Sequence, residues 1–189
     1  MQGSFKETSL VQIAYDEDGR KKINKYVIHD MIGKGSYSKV KLAYNIEDKK
    51  YYAIKIINRS LLAKKKKGMV KNSEGNMSFV YMLEDALNEI NVLKLLNTDT
   101  VHKNVIKLHE IINYENELES ISKIYLVLEY CKRGSIMNYN DRTGVFTINN
   151  NYKCNDTNKE FYSEEEIAKF VREMAEGLEF SKYKEFLFF

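Results

Sequence analysis

Two glycines, a lysine and an alternating apolar strand stand together between Ile32 and Lys55, where the chain reads I-G-K-G-S-Y-S-K-V-K-L-A-Y and, after a turn, Y-Y-A-I-K. Gly33 and Gly35 carry no Cβ. A hairpin made of Ile32, Gly33, Lys34, Gly35, Ser36, Tyr37 and Ser38 can therefore bring its backbone N–H groups close to a phosphate. Val40 and Ala53 are apolar enough to clamp a flat base, and Lys55, two residues beyond Ala53, lies on the same strand face and reaches toward phosphate oxygens. These residues describe half of a nucleotide site. Paired glycines are common in bare hairpins, so the turn alone decides little. The residues C-terminal to the turn decide more: Ser38, Val40, Leu42 and Tyr44 alternate as a strand, whereas a dinucleotide-binding fingerprint would open a helix there.

The surrounding elements must place that lysine. Strands are predicted at Tyr26–Ile32, Val40–Asn45 and Tyr51–Ile57, with turn residues Asn45 and Asp48 between the last two. Residues 1–25 have no clear period and read as a leader, with a short strand at Leu10–Tyr15 and a turn at Asp16–Arg20. Residues 61–78 read as a basic loop, because four consecutive lysines, Lys64 to Lys67, and the polar run after them cannot pack a core. A solvated face is the ordinary fate of such a run, a nuclear-localisation signal or an acidic partner's docking patch the alternative. From Tyr81 to Leu96, Leu83, Ala86, Leu87, Ile90, Leu93 and Leu96 recur at helical spacing. Glu89 borders that apolar face, where a glutamate is ordinarily just solvated. Val105–Ile112 and Lys123–Tyr130 read as two more strands. Five strands with one helix inserted after the third make an α+β lobe. Residues 132–162 form a connector whose asparagine-rich part, 138–159, reads as an unstructured insertion; its Asn155-Asp156-Thr157 sequon is a chance match. Residues 163–182 form a helix: Ser163 caps, Glu166 reciprocates, and Tyr162 with Ile167 makes a hydrophobic staple. Ile167, Phe170, Val171, Met174 and Leu178 are its apolar stripe, which something must cover.

Composition narrows the class. In 189 residues, 30 basic and 27 acidic side chains leave a net charge of +3, too balanced for a nucleic-acid binder. No apolar run approaches the ~20 residues of a membrane span. Cys131 and Cys154 form no ligand-spaced pair, so no disulfide framework or metal site is expected, and a cytoplasmic setting fits best, with the lysine run leaving a nuclear one open. Proline is absent, which rules out any motif that requires it.

The order of these pieces resembles the N-terminal lobe of a eukaryotic protein kinase over residues 26–180: the glycine turn, Y-A-I-K, E-I-N-V-L-K-L-L, H-K-N-V-I-K-L, and I-Y-L-V-L-E-Y. Within the kinases, I-G-K-G-S-Y-S-K-V-K-L-A-Y-N, the enlarged loop before the helix, and S-E-E-E-I-A-K-F are similar to calcium/calmodulin-dependent protein kinase kinases. Their proline-rich insert has only a lysine-rich, proline-free counterpart here. The resemblance implies a five-stranded antiparallel sheet plus one helix over residues 26–131, then a hinge and the first long helix of a second lobe. It also implies ATP and Mg2+ as cofactors and a protein substrate, which could be another kinase. Gly33 to Val40 would cover the phosphates, with Ser38 where a third glycine is usual. Lys55 would hold the α- and β-phosphates and pair with Glu89 on the helix. Adenine would lie against Val40 and Ala53, bonded at its edge by the backbone of Glu129 and Cys131, with Leu128 guarding the space behind. Leu93 and Leu108 would belong to an apolar column linking helix and sheet, and His102 would be structural, at the start of the fourth strand.

The same resemblance exposes what these residues do not contain. No H-R-D loop, D-F-G segment or A-P-E element is present, and His29-Asp30 precedes the glycine turn. Residues 183–189 match nothing in the family, and the continuation after Phe180 departs from its pattern. The expectation is a chain cut short of the catalytic loop, inactive by itself; a naturally short, catalytically dead scaffold that binds a partner is the alternative.

Overall fold

The computed structural model describes residues 5–71, 77–116, 120–149, 151 and 161–184. They fall into two units, Met1–Tyr130 and Cys131–Phe189. In the first unit, chain order is β1 (Lys6–Thr8), β2 (Ile13–Tyr15), β3 (Lys21–Ile23), β4 (Tyr26–Lys34), β5 (Ser38–Asn45), β6 (Lys50–Asn58), α1 (Arg59–Leu62), β7 (Lys66–Lys71), β8 (Met77–Tyr81), α2 (Met82–Leu96), β9 (Leu108–Asn116) and β10 (Ile121–Glu129). The main sheet runs β1-β9-β10-β6-β5-β4-β3-β2. The five expected strands are its contiguous centre, β9-β10-β6-β5-β4, paired antiparallel.

Alternation along β6 explains how this sheet buries both faces. Ala53 and Ile57 point to one side, where they join Ile124, Leu126 and Leu128 of β10, Leu108 and Ile111 of β9, and Ala86, Ile90 and Leu93 of α2. Tyr52 and Ile54 point to the other side and pack with Ile23, Tyr26, Ile28, Ala43, Ile112, Tyr125 and Val127. Lys55 shares the parity of Ala53 and so faces the helix. Asn97, buried just past the end of α2, donates to the carbonyls of Leu93 and Ile106 and accepts from Leu108 N–H at 2.9 Å, which ties the helix to β9. Leu93 and Leu108 thus meet in one core.

Three expectations need correction. The leader is part of the sheet. β2 pairs antiparallel with β3, and β1 pairs parallel with β9, so the sheet has eight strands and is not wholly antiparallel. β2 lies within the short strand expected at Leu10–Tyr15, whereas β1 and β3 carry too little alternation to be seen in a sequence window. The Asp16–Arg20 turn between β2 and β3 is present, with Gly19 N–H on the Asp16 carbonyl at 3.0 Å and φ +75°. The basic segment is a hairpin rather than a loop: β7 pairs with β8 through Met69↔Phe79 and Lys71↔Met77, and Lys66 Nζ lies 3.5 Å from the centre of the Phe79 ring. Lysines suit a ribbon that has water on both sides, so charge density does not argue against strands. His102 sits in a turn six residues before β9 begins, not at the start of that strand; its Nδ1 accepts from Asn104 N–H at 3.2 Å.

The second unit contains β11 (Met137–Asn140), β12 (Val145–Ile148) and α3 (Glu164–Tyr183). The part of the expected insertion that is described is therefore a hairpin. Asn140 receives the turn N–H groups of Arg142 and Thr143, Gly144 takes φ +69°, and Tyr139 meets Phe146 at 4.7 Å between ring centres. The sequon and residues 185–189 lie outside the described residues. The α3 capping box is formed as expected, Ser163 Oγ accepting from Glu166 N–H and Glu166 Oε2 from Ser163 N–H. Tyr162 sets its ring edge-on to Phe170, and Ile167, its expected staple partner, is 49% exposed. Val171, Met174 and Leu178 are exposed as well.

Candidate functional site

Strand register brings the chemistry together. Gly33 of β4 stands opposite Val40 of β5, and Val40 opposite Lys55 of β6, so glycine, valine and lysine form one line across three strands. On the far side of β6, Leu126 faces Lys55 and Leu128 faces Ala53. Val40, Ala53 and Leu128 all pack into the core cluster on the α2 side, giving one apolar floor beside the lysine.

The turn above the floor is tight. Gly35 N–H donates to the Ser38 carbonyl at 2.9 Å, and a Cβ added at Gly35 would meet Ser38 Oγ at 3.0 Å. A Cβ at Gly35 would thus require the Ser38 hydroxyl to give by a few tenths of an ångström, while Gly33 has Val40 at ordinary contact distance. Neither takes a positive φ, and neither does Ser38, which is buried at the start of β5. A serine in this position therefore meets none of the backbone strain that a left-handed residue would bring. Ile32, Lys34, Gly35 and Ser36 are exposed around the turn.

Lys55 Nζ pairs with Glu89 Oε1, the two side chains being 17% and 32% exposed. This joins β6 to the middle of α2, 34 residues apart in sequence. The glutamate's other oxygen is also used. Tyr37 Oη, from the glycine turn, donates to Glu89 Oε2 at 2.6 Å, and its ring centre lies 5.5 Å from Lys55 Nζ. That hydrogen bond to a carboxylate, with desolvation second, pushes the Tyr37 hydroxyl up to about 12. Turn, strand and helix therefore meet on one carboxylate.

Glu129 closes β10. Its N–H donates to the Lys107 carbonyl and its Oε1 accepts from Lys107 N–H, both at 2.9 Å, so its backbone is fixed from outside the sheet. Cys131 lies just past the boundary, in the second unit, with an exposed thiol outside any disulfide and a backbone carbonyl that accepts from Gly134 N–H at 2.9 Å. Among the described residues no group of three or more His, Cys, Asp or Glu could hold a metal ion, and no helix is long and apolar enough to cross a membrane.

Two polar residues have roles that sequence reasoning misses. Tyr37 belongs to the turn, but nothing in its local pattern announces a partner 52 residues away. Glu110 is only 4% exposed in the middle of β9 and accepts from Thr8 Oγ1 at 2.6 Å and Tyr26 Oη at 2.8 Å. Its signal is there to find: a carboxylate at a core position of an apolar strand requires partners.

A curled sheet with a glycine turn at one end and a strand lysine ion-paired with a helix glutamate beneath it is the arrangement of a kinase-type N-terminal lobe. The chain belongs to the protein kinase domain family, whose match spans residues 26–188 and so runs past Phe180 through most of the 183–189 tail, correcting the expectation that the tail lies outside the family. Among its curated relatives, it is 38% identical over 136 residues to the protein named Probable serine/threonine-protein kinase from Dictyostelium discoideum, covering 72% of this chain and 17% of that one. It is 35% identical over 122 residues to the calcium/calmodulin-dependent protein kinase kinase of Caenorhabditis elegans, covering 61% of this chain and 21% of the relative. It is also 35% identical over 133 residues to SNF1-activating kinase 1 of Saccharomyces cerevisiae, covering 69% of this chain and 10% of that protein. The chain thus spans a quarter or less of these relatives.

Proposed function

We propose that this chain is the ATP-positioning part of a serine/threonine protein kinase. The observation that carries the reading is the Lys55–Glu89 ion pair on the face that also holds Val40, Ala53 and Leu128, beneath the Gly33–Ser38 turn. An ammonium oriented by a carboxylate is a fixed positive point for the α- and β-phosphates, and the turn supplies backbone N–H donors above them. Val40, Ala53 and Leu128 offer the apolar surface a purine needs. The backbone carbonyl of Glu129, at the end of β10, is proposed to meet its polar edge. Gly35 fits a close phosphate, since its missing Cβ leaves the room the turn needs.

Magnesium, when bound in this family, neutralises charge on the phosphates. The described residues offer no cluster that fits it, and no metal ligand is assigned among them. The sequence also contains no H-R-D or D-F-G, so these 189 residues alone are expected to bind nucleotide without transferring the γ-phosphoryl group. Relatives named as kinase kinases or kinase activators make another kinase's hydroxyl a reasonable substrate class for the complete enzyme.

The test is an equilibrium titration of the chain with a fluorescent ATP analogue. Saturable binding is expected, weakened at least about tenfold by Lys55→Met, with circular dichroism unchanged. Binding that is indifferent to Lys55→Met would overturn the assignment. Radiolabel transfer to a protein acceptor by the purified chain would overturn the expected inactivity.

A further inference from the structure

The family match begins at residue 26, yet the segment before it is built into the lobe. β1 contributes only three parallel pairs, Lys6↔Glu110, Glu7↔Ile111 and Thr8↔Ile112, too few to hold an edge strand by backbone bonds alone. Its side chains do more, and they split by parity. Lys6, Thr8, Leu10 and Gln12 line a cavity of about 450 Å³ with Glu110 in its wall, and Thr8 is anchored on that carboxylate. Phe5 and Glu7 have the opposite parity. Phe5 packs against the core cluster that contains Ala86, Ile90 and Leu93, and Glu7 Oε1 is paired with Lys94 Nζ of α2 at 2.7 Å.

The chain then crosses to the other edge of the sheet. Asn24, in the turn after β3, accepts from Gln12 N–H at 2.8 Å and donates to the Leu10 carbonyl at 3.2 Å, and β2 pairs with β3. Residues 5–15 are therefore fastened at both ends, with one face turned to the helix that carries Glu89.

Helix α2 has holds at both ends: Met82 N–H donates to the Lys65 carbonyl at 3.0 Å and Asp85 pairs with Lys67 at 2.7 Å near its start, while Asn97 ties its other end to β9. Five residues separate Glu89 from Lys94, about 7.5 Å along the axis and about 140° around it. The helix is thus gripped on two sides, by Lys55 and Tyr37 at Glu89 and by Glu7 at Lys94.

We propose that the Phe5–Tyr15 segment is a brace that sets the position of α2, and that Glu7 is a positioning residue for Glu89, acting through Lys94. For its effect on nucleotide, this inference rests on the reading of Lys55 and Glu89 given above. For its effect on the helix, it stands on the contacts alone.

The experiment compares the wild-type chain with Glu7→Lys, Lys94→Glu and the double charge swap, by amide hydrogen exchange and by titration with the fluorescent ATP analogue. Each single reversal is expected to speed exchange in residues 86–96 with β5 and β6 unchanged, and to weaken nucleotide binding about fivefold. The double swap is expected to restore both. Phe5→Leu, which keeps an apolar contact, is expected to retain most of the protection. Exchange in α2 that ignores both reversals would overturn the brace, as would a double swap no better than either single. Wild-type chain that binds no nucleotide would sink the proposed function, while the exchange data would still judge the brace.

Discussion

Replacing Tyr37 by phenylalanine tests whether the glycine turn and α2 compete with nucleotide for the same lysine. The change deletes one donor, Tyr37 Oη on Glu89 Oε2 at 2.6 Å, and leaves the ring. A hydrogen bond to a charged group contributes about 1.5–3 kcal/mol when protected. Glu89 is 32% exposed, so solvent screening brings that to about 1 kcal/mol, or about fivefold in an equilibrium constant. The sign follows from position. The ring centre lies 5.5 Å from Lys55 Nζ; on the proposed reading that phosphates meet the ammonium beneath the turn, Tyr37 has to swing away first. Releasing its hold on Glu89 should therefore tighten nucleotide binding about fivefold while lowering thermal stability by about 2–4 °C. The pH dependence is also fixed. The hydroxyl titrates at about 12, above its ordinary value of 10.0, so its neutral, bonded form is favoured by folding. The bond's contribution is complete below about pH 10 and is lost as pH rises through about 12. The affinity ratio between variant and wild type should hence be flat from about pH 6 to 9. Fluorescent-nucleotide titrations across that range decide it. Unchanged or weaker binding by Tyr37→Phe, with Lys55-dependence intact, would refute the competition, and a ratio that moves near pH 7 would assign it to another group.

Other expectations concern stability. Tyr26→Phe strips one of the donors on the buried Glu110 and should cost about 1–3 kcal/mol in urea unfolding; burial, and after it the bond to Glu110, push the tyrosine hydroxyl's titration far above its usual range. Unfolding indistinguishable from wild type would mean that Thr8 and Lys25 satisfy the carboxylate alone. On α3, Val171→Asp with Leu178→Asp should raise the monomeric fraction in sedimentation, because both side chains are more than half exposed and apolar. A monomer fraction unchanged by the pair would show that the stripe is not what drives association.

The parts of the fold that can be read in advance are those with long, two-sided patterns. β5 alternates over eight residues, β6 is apolar through most of its nine, and α2 carries its apolar stripe over fifteen, lengths enough to tell strand from helix. The Lys55–Glu89 pair is legible only through resemblance, since periodicity puts Glu89 on the border of the buried face without naming what it meets. β1 and β3 hold three residues each, below the length at which alternation means anything, while β2 lies inside the short strand expected at Leu10–Tyr15. In β7 the lysines that suggest a solvated loop are what a two-stranded ribbon with no buried face can carry. Ser38, standing where the family's third glycine is usual, takes no left-handed backbone, because it already belongs to β5.

Parity joins the fold to the chemistry more tightly than any single contact. Ala53, Lys55 and Ile57 project toward α2, and Tyr52 and Ile54 project away. Slipping β6 by one residue would send the lysine into the cluster of Ile28, Ala43 and Val127, strand Glu89 without its cation, and bury an ammonium among apolar side chains. The apolar residues on both faces forbid that slip, so the register that builds two cores also aims the ammonium. Helix α2 is joined to the same register through Ala86, Ile90 and Leu93, which pack against Ala53 and Ile57 of β6 in one core. Contacts to α2 from the glycine turn, from Asn97 and from the N-terminal strand add to that packing, so each helps to hold Glu89 against the lysine.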